Sequence, residues 1–118
     1  MRTIDQAALD DKERAAIRAA ARLLRERFAA VEVVLFGSRA RGEGDAESDL
    51  DLLVLTARPL HWRERHALID ALFEVELTYD VLLSPLVVTR DAWQHGPYTV
   101  LPIHAEVERD GVTCEPGR

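Results

Sequence analysis

The hydrophobic and polar positions near the start of the chain follow the period of an amphipathic α-helix. Apolar side chains recur at three- and four-residue spacing, and charged residues occupy most of the positions between them. Asp10, followed three residues later by Glu13, has the form of a capping box, which marks a helix N-terminus. These features predict a helix from about Asp10 to Phe28. The stripe predicted to face the core consists of Ile17, Ala20, Leu24 and Phe28.

The pattern then changes to short apolar runs of the kind that form strands. The β-branched run Val31–Phe36 predicts a buried strand that ends at a Gly-Ser pair. The polar stretch Arg39–Ser48 contains two glycines and predicts a loop. Asp49–Leu55 alternates before it becomes continuously apolar, which predicts a second strand with Asp49 and Asp51 on one face.

The second half of the chain alternates between helical and strand-like segments. A helix is predicted over about Leu60–Phe73, with Trp62, His66, Ile69 and Phe73 on one side. The predicted elements that follow it are a strand over Leu77–Leu83, an edge segment at Leu86–Val88, a short helix from Thr89 through Trp93, and a final helix over Val100–Arg109. This order predicts a single α/β (α+β) domain over residues 1–118, with a sheet covered by helices.

Composition and charge narrow the range of functions. The chain of 118 residues is 47% hydrophobic and 31% charged, which is typical of a globular protein. Its formal net charge of −6 argues against direct nucleic-acid binding, which draws on an excess of cationic residues. No apolar run is long enough to span a membrane. A single cysteine, Cys114, excludes an intrachain disulfide, and we expect a reducing, cytoplasmic location.

The end of the first predicted strand has the residues of a phosphate-binding turn. Gly37 allows a close approach of backbone N–H groups to an anion, and the hydroxyl of Ser38 can bind a phosphate oxygen. Arg39 and Arg41 add positive charge that can neutralise phosphate. Each of these residues also has a plain structural explanation, as a turn glycine, a helix cap or a surface arginine.

The start of the second predicted strand carries two carboxylates. Asp49 and Asp51 repel each other unless a cation lies between them, and oxygen ligands at this spacing suit Mg²⁺. A phosphate-binding turn that faces such a carboxylate pair provides the smallest set of groups needed for metal-assisted phosphoryl or nucleotidyl transfer. An Asp-x-Asp pair alone would favour a solvated strand start.

The combination resembles the signature of a known superfamily. Gly37-Ser38, ten intervening residues and Asp49-Leu50-Asp51 resemble the motif of the polymerase-β-like nucleotidyltransferases. The form Gly-Ser-Arg-Ala-Arg-Gly and the C-terminal stretch Glu108–Val112 resemble the minimal nucleotidyltransferases of prokaryotes. The resemblance implies a small mixed sheet covered by helices. Many members of that group act as antitoxins of a HEPN-type toxin.

The resemblance also implies a third carboxylate on a later strand. Glu74, Glu76 and Asp80 are the candidates. Asp80 is our choice, because it lies within an apolar run where an ionisable residue requires a reason. On this interpretation Asp49, Asp51 and Asp80 hold two Mg²⁺ ions.

The function implied by the resemblance is Mg²⁺-dependent transfer of AMP from ATP to a hydroxyl of a HEPN-type toxin, with Gly37 and Ser38 on the β- and γ-phosphates. Two alternatives remain open: an antitoxin that neutralises its partner by occlusion, without catalysis, and a small-molecule nucleotidyltransferase. The sequence also leaves open the assembly of the chain as a homo-oligomer.

Overall fold

A computed structural model of the chain describes residues 1–45 and 48–114. The strands are β1 (Arg2–Thr3), β2 (Ala30–Phe36), β3 (Leu50–Thr56), β4 (Leu83–Thr89) and β5 (Val112–Thr113). The α-helices are α1 (Asp11–Arg27), α2 (Trp62–Tyr79), α3 (Arg90–His95) and α4 (Pro102–Asp110), and two short 3₁₀ helices span Ile4–Gln6 and Pro97–Val100.

The five strands form one mixed sheet in the order β1-β5-β2-β3-β4. Strand β2 runs antiparallel to β3 and to β5, whereas β3 and β4 are parallel. Strand β3, which lies between β2 and β4, is almost entirely buried. The predicted small mixed sheet covered by helices is therefore confirmed.

Helices cover both faces of the sheet. One face packs against α1 and α2, and its core includes Ile17, Leu24, Leu52 and Leu72. The other face packs against α3 and α4, through a smaller cluster around Trp93. Alternation along β3 sends Leu50, Leu52 and Val54 to the first face and Leu53 and Leu55 to the second.

The local signals at two helix starts are confirmed. Asp10 accepts a hydrogen bond from the amide of Glu13, and the Glu13 side chain accepts one from the amide of Asp10, which completes the predicted capping box. Thr89 caps α3 by accepting from the amide of Ala92. The four residues predicted as the core stripe of α1 and its C-terminal end are all buried.

Two predictions about the middle of the chain are wrong. Helix α2 continues to Tyr79, six residues beyond the predicted end at Phe73, and so occupies the first three residues of the segment Leu77–Leu83 that was predicted to be a strand. The strand that follows is β4, which lies at the edge of the sheet and contains Pro85. Residues 46 and 47 of the predicted loop lie outside the described residues. In the part of the chain that is described, no helix is long and apolar enough to cross a membrane.

Candidate active site

The hairpin of β2 and β3 brings the Gly-Ser turn against the carboxylates. Phe36 pairs with Asp51 across the two strands, so the next residue, Gly37, lies directly beside that side chain. Gly37 has φ of +78°, and a methyl group in place of its hydrogen would overlap Asp51 Oδ2. The position therefore requires glycine for both its backbone conformation and its close contact.

The chain turns sharply after Gly37. Successive amides donate to the carbonyls three residues earlier, from Ala40 to Gly37 at 3.1 Å and from Arg41 to Ser38 at 3.1 Å, which makes a single helical turn. Farther along the loop, Gly44 (φ +75°) lies against two hydroxyls, because a methyl group there would be 3.1 Å from Ser38 Oγ and 2.9 Å from Ser48 Oγ. The loop thus folds back over the Ser38 side chain.

The two carboxylates differ in their environment. Asp49 precedes β3 and is exposed, whereas Asp51 lies within the strand and is half-buried on the sheet face that carries α4. Burial raises the pKa of Asp51, the negative charges of Asp49 and Glu106 raise it further, and a hydrogen bond from Ser84 acts in the opposite direction. A cation at this place would offset the repulsion among these carboxylates.

The residue opposite Asp51 on the neighbouring parallel strand is Ser84. The register pairs Asp51 with Ser84 and Leu50 with Leu83. The position across from the second carboxylate, on the adjacent strand, therefore holds a hydroxyl rather than an acid.

Asp80, predicted as the third carboxylate in a strand, has a different place. It ends helix α2 in the left-handed conformation, with φ of 55° and ψ of 55°. Its side chain is 98% exposed, and its carboxylate lies 3.7 Å from Lys12 Nζ. Across residues 1–45 and 48–114, no three side chains among His, Cys, Asp and Glu form a group that could hold a metal ion. The structure therefore does not bring Asp80 together with Asp49 and Asp51.

Arg39 is buried in an ion pair, instead of facing the turn as a free cation. Its Nη2 atom lies 2.5 Å from Oε2 of Glu13, and the two side chains are only 8% and 5% exposed. Nη1 also approaches the carbonyl of Ser48, at 3.5 Å. Arg39 thus joins the loop to helix α1, and its charge is compensated within the protein.

Arg41 is exposed and also pairs with carboxylates. Its Nη1 donates to Oε1 of Glu106 on α4 at 2.9 Å, and its Nε donates to Oε2 of Glu43 at 3.1 Å. This contact joins the loop to the last helix, close to the negative charges around Asp51.

The oxygens at the end of the hairpin fit Mg²⁺. Asp49 and Asp51 supply two carboxylates, with the Ser84 hydroxyl beside them. Mg²⁺ commonly takes one or two protein carboxylates and fills its shell with water and substrate phosphates. Sequence reasoning missed Ser84 and Glu106. The register of β3 with β4 identifies Ser84, but nothing in the sequence pattern connects Glu106 with this hairpin.

The sequence matches one protein family over most of its length. Residues 17–105 match the family model described as "Nucleotidyltransferase domain". A protein of Methanocaldococcus jannaschii named "Putative protein adenylyltransferase MJ0141" is 42% identical over 55 residues, which are 47% of this chain. The match spans 56% of that protein's length.

Solved structures share the fold. A structure described as a "putative minimal nucleotidyltransferase" has a TM-score of 0.57 and 28% identity, and the match covers 89% of this chain and 97% of that one. A mutant of the MntA-HpeT toxin–antitoxin has a TM-score of 0.57 at 17% identity, covering 86% of this chain and 74% of that one. A toxin–antitoxin with AMP-PNP has a TM-score of 0.56 at 18% identity, with coverage of 92% and 76%. With a family model matched over most of its length, and a hairpin that joins a Gly-Ser turn to paired carboxylates, this chain belongs to the nucleotidyltransferase domain family, as a minimal nucleotidyltransferase with a polymerase-β-like fold.

Proposed function

We propose that this chain transfers a nucleoside monophosphate, AMP from ATP, to a hydroxyl group of a protein partner, with pyrophosphate as the leaving group. The observation that carries this proposal is the contact of Gly37 with the Asp51 carboxylate, because it joins a phosphate-binding turn to a metal-binding pair in one hairpin. A relative named as an adenylyltransferase and a neighbour in fold that contains AMP-PNP support adenylate as the group transferred.

The residues of the hairpin divide the work between phosphate binding and metal binding. The backbone at Gly37 and the hydroxyl of Ser38 bind the β- and γ-phosphates. Asp49 and Asp51 hold Mg²⁺, which offsets the negative charge of the phosphates when it is bound. Ser84 donates a hydrogen bond to Asp51 and so orients that carboxylate. The donor set fits one Mg²⁺, because Asp80 does not join the pair.

The partner in this proposal is a HEPN-type toxin, and the chain is its antitoxin. Two of its neighbours in fold are toxin–antitoxin structures. A net charge of −6 suits association with a basic partner, since charge complementarity speeds encounter and favours the matching protein. The reaction would take place in the cytoplasm, where ATP is present.

The test is transfer of label from α-³²P-ATP, with Mg²⁺, to the protein encoded beside this chain. The double variant Asp49→Asn, Asp51→Asn removes both carboxylate charges, and Asp91→Asn, an exposed aspartate on α3, is the matched control. We expect label on the partner with the wild type and the control, and none with the double variant. Equal labelling by the double variant would refute the assignment of the carboxylates.

A second candidate is an antitoxin that covers its partner without modifying it. The pairing of Arg39 with Glu13, and of Arg41 with Glu106, favours this alternative, as does the serine opposite Asp51. It predicts that the double variant still binds and neutralises the toxin, with no label transferred by either protein. Toxin activity measured beside label transfer therefore separates the two functions.

A further inference from the structure

Helix α2 has an apolar stripe on the side turned away from the core. Trp62, Ile69, Phe73 and Leu77 are 60%, 52%, 54% and 63% exposed. Their spacing of seven, four and four residues puts them on one line, about 22 Å long at 1.5 Å per residue. The opposite side of the helix carries the buried residues Leu68, Ala71, Leu72 and Val75.

His66 fills the gap between Trp62 and Ile69, with its ring 5.7 Å from that of Trp62. A stripe of this length differs from the single exposed hydrophobic residues found on any protein surface. Contiguous patches with aromatic residues mark interaction sites, because each exposed apolar group is stabilised by removal from water. Helix α2 covers the sheet face opposite to the one that carries Asp51. A partner on the stripe therefore leaves the candidate active site accessible.

The charges beside the stripe change sign along the helix. Arg63 and Arg65 lie in the N-terminal half, and Glu74 and Glu76 lie in the C-terminal half. Glu74 is exposed, whereas Glu76 is partly buried and its Oε2 accepts a hydrogen bond from the amide of Leu83 at 2.9 Å, which leaves Oε1 for a second partner. Glu74 lies eleven positions after Arg63, and Glu76 lies eleven positions after Arg65. Eleven positions make three full turns plus about 20°, so each glutamate lies almost directly along the helix from its arginine. Each edge of the stripe thus carries an arginine near one end and a glutamate near the other.

We propose that the stripe binds the same stripe of a second copy of this chain, with the two α2 helices antiparallel. A two-fold axis between antiparallel helices brings each edge of the stripe against the same edge of the other copy, with its direction reversed. Arg63 then faces Glu74 of the second copy, and Arg65 faces Glu76 of the second copy. The register midway between these two pairings packs Trp62 on Leu77 of the second copy and places each arginine within two residues of its glutamate.

The self-complementary charge pattern is what identifies the occupant. A parallel arrangement would set arginine against arginine and glutamate against glutamate. In the antiparallel arrangement only Asp70, near the two-fold axis, approaches its own equivalent, so Asp70→Asn should tighten the dimer. The apolar stripe supplies most of the affinity, because exposed ion pairs contribute little. This inference does not depend on the proposed function.

The test is sedimentation velocity of the intact chain over a wide range of concentrations. We expect a reversible dimer whose dissociation constant rises about tenfold or more with Phe73→Ser, a change at an aromatic residue of the stripe. Val100→Ser is the matched control, since Val100 is 84% exposed and lies outside α2, and it should leave the dimer unchanged.

Charge reversal tests the antiparallel pairing directly. Arg63→Glu and Glu74→Arg should each weaken the dimer, and the double variant should recover most of the affinity, because reversal of both partners restores attraction. Circular dichroism checks that each variant is folded. A chain that stays monomeric at every concentration overturns the proposal. So does a dimer insensitive to Phe73→Ser, or a double variant as weak as the single ones.

Discussion

Breaking the buried ion pair between Arg39 and Glu13 should cost more stability than breaking any exposed pair. Arg39→Met replaces the aliphatic part of the side chain and removes its charge, so the Glu13 carboxylate remains buried without its cation. Glu13→Gln is the complementary change, because glutamine can still accept the capping hydrogen bond from the amide of Asp10. Removing one partner of a buried pair costs about 3–5 kcal/mol.

The magnitude translates into an easily measured shift in urea denaturation. With a slope of about 2 kcal/mol per M urea, Arg39→Met should lower the midpoint by about 1.5–2.5 M. The double variant Arg39→Met, Glu13→Gln should lose much less stability than the two single variants lose in sum. The difference, which is the interaction energy between the two residues, should be about 2–3 kcal/mol. Arg18→Met, which breaks the exposed pair with Asp5, is the control and should cost at most about 1 kcal/mol.

Two results would refute this reasoning. One is a loss of stability for Arg39→Met that is no larger than the loss for Arg18→Met. The other is a double variant whose loss of stability equals the sum of the losses for Arg39→Met and Glu13→Gln. Because Arg39 follows Ser38 directly, the stability measurement also has a functional counterpart. If Arg39 binds phosphate instead, its variant should weaken nucleotide binding while leaving the urea midpoint almost unchanged.

The candidate site and the single cysteine yield four more predictions. Gly37→Ala should reduce label transfer about a hundredfold by displacing the Asp51 carboxylate, with an unchanged circular dichroism spectrum, and full activity would contradict the contact. Asp51→Asn should raise Tm at pH 7. Burial and neighbouring charges raise the pKa of Asp51 and so disfavour its ionised form, which the neutral asparagine replaces; a lower Tm would contradict this. Glu106→Gln removes one of the negative charges near Asp51 and so lowers the pKa of Asp51. The acid limb of the pH–activity profile should therefore move to lower pH, and an unchanged limb would contradict the interaction between Glu106 and Asp51. Burial raises the pKa of Cys114 to about 12, so a thiol reagent at pH 8 should label it only in urea, whereas rapid labelling of the native protein would contradict its burial.

The features that sequence reasoning predicted correctly depend on residues close together in the chain. The capping box at Asp10, the length of α1 and the pair of strands around the loop are all encoded within short segments. The meeting of Gly37 with Asp51 follows from the hairpin, because antiparallel neighbours with one loop between them bring their ends together.

The features that it missed depend on distant contacts or on an ambiguous pattern. A short apolar run such as Leu77–Leu83 suits a strand and a buried or exposed helix equally well, and the structure extends α2 through its first three residues. Asp80 thereby becomes the residue that ends the helix, in the left-handed conformation that aspartate tolerates. The pairing of Arg41 with Glu106 joins residues 65 positions apart, and no local signal indicates it.

The alternation of acids and leucines at the start of β3 has a consequence for folding. Side chains alternate between the two faces of a strand, so a slip of one residue against β2 would send Asp51 into the core beneath α1 and α2. The same slip would move Leu50 and Leu52 out of that core. An unpaired buried carboxylate costs several kcal/mol, so the misaligned hairpin is strongly disfavoured. The residues proposed to hold the metal therefore also select the correct strand alignment while the chain folds, before any nucleotide is bound.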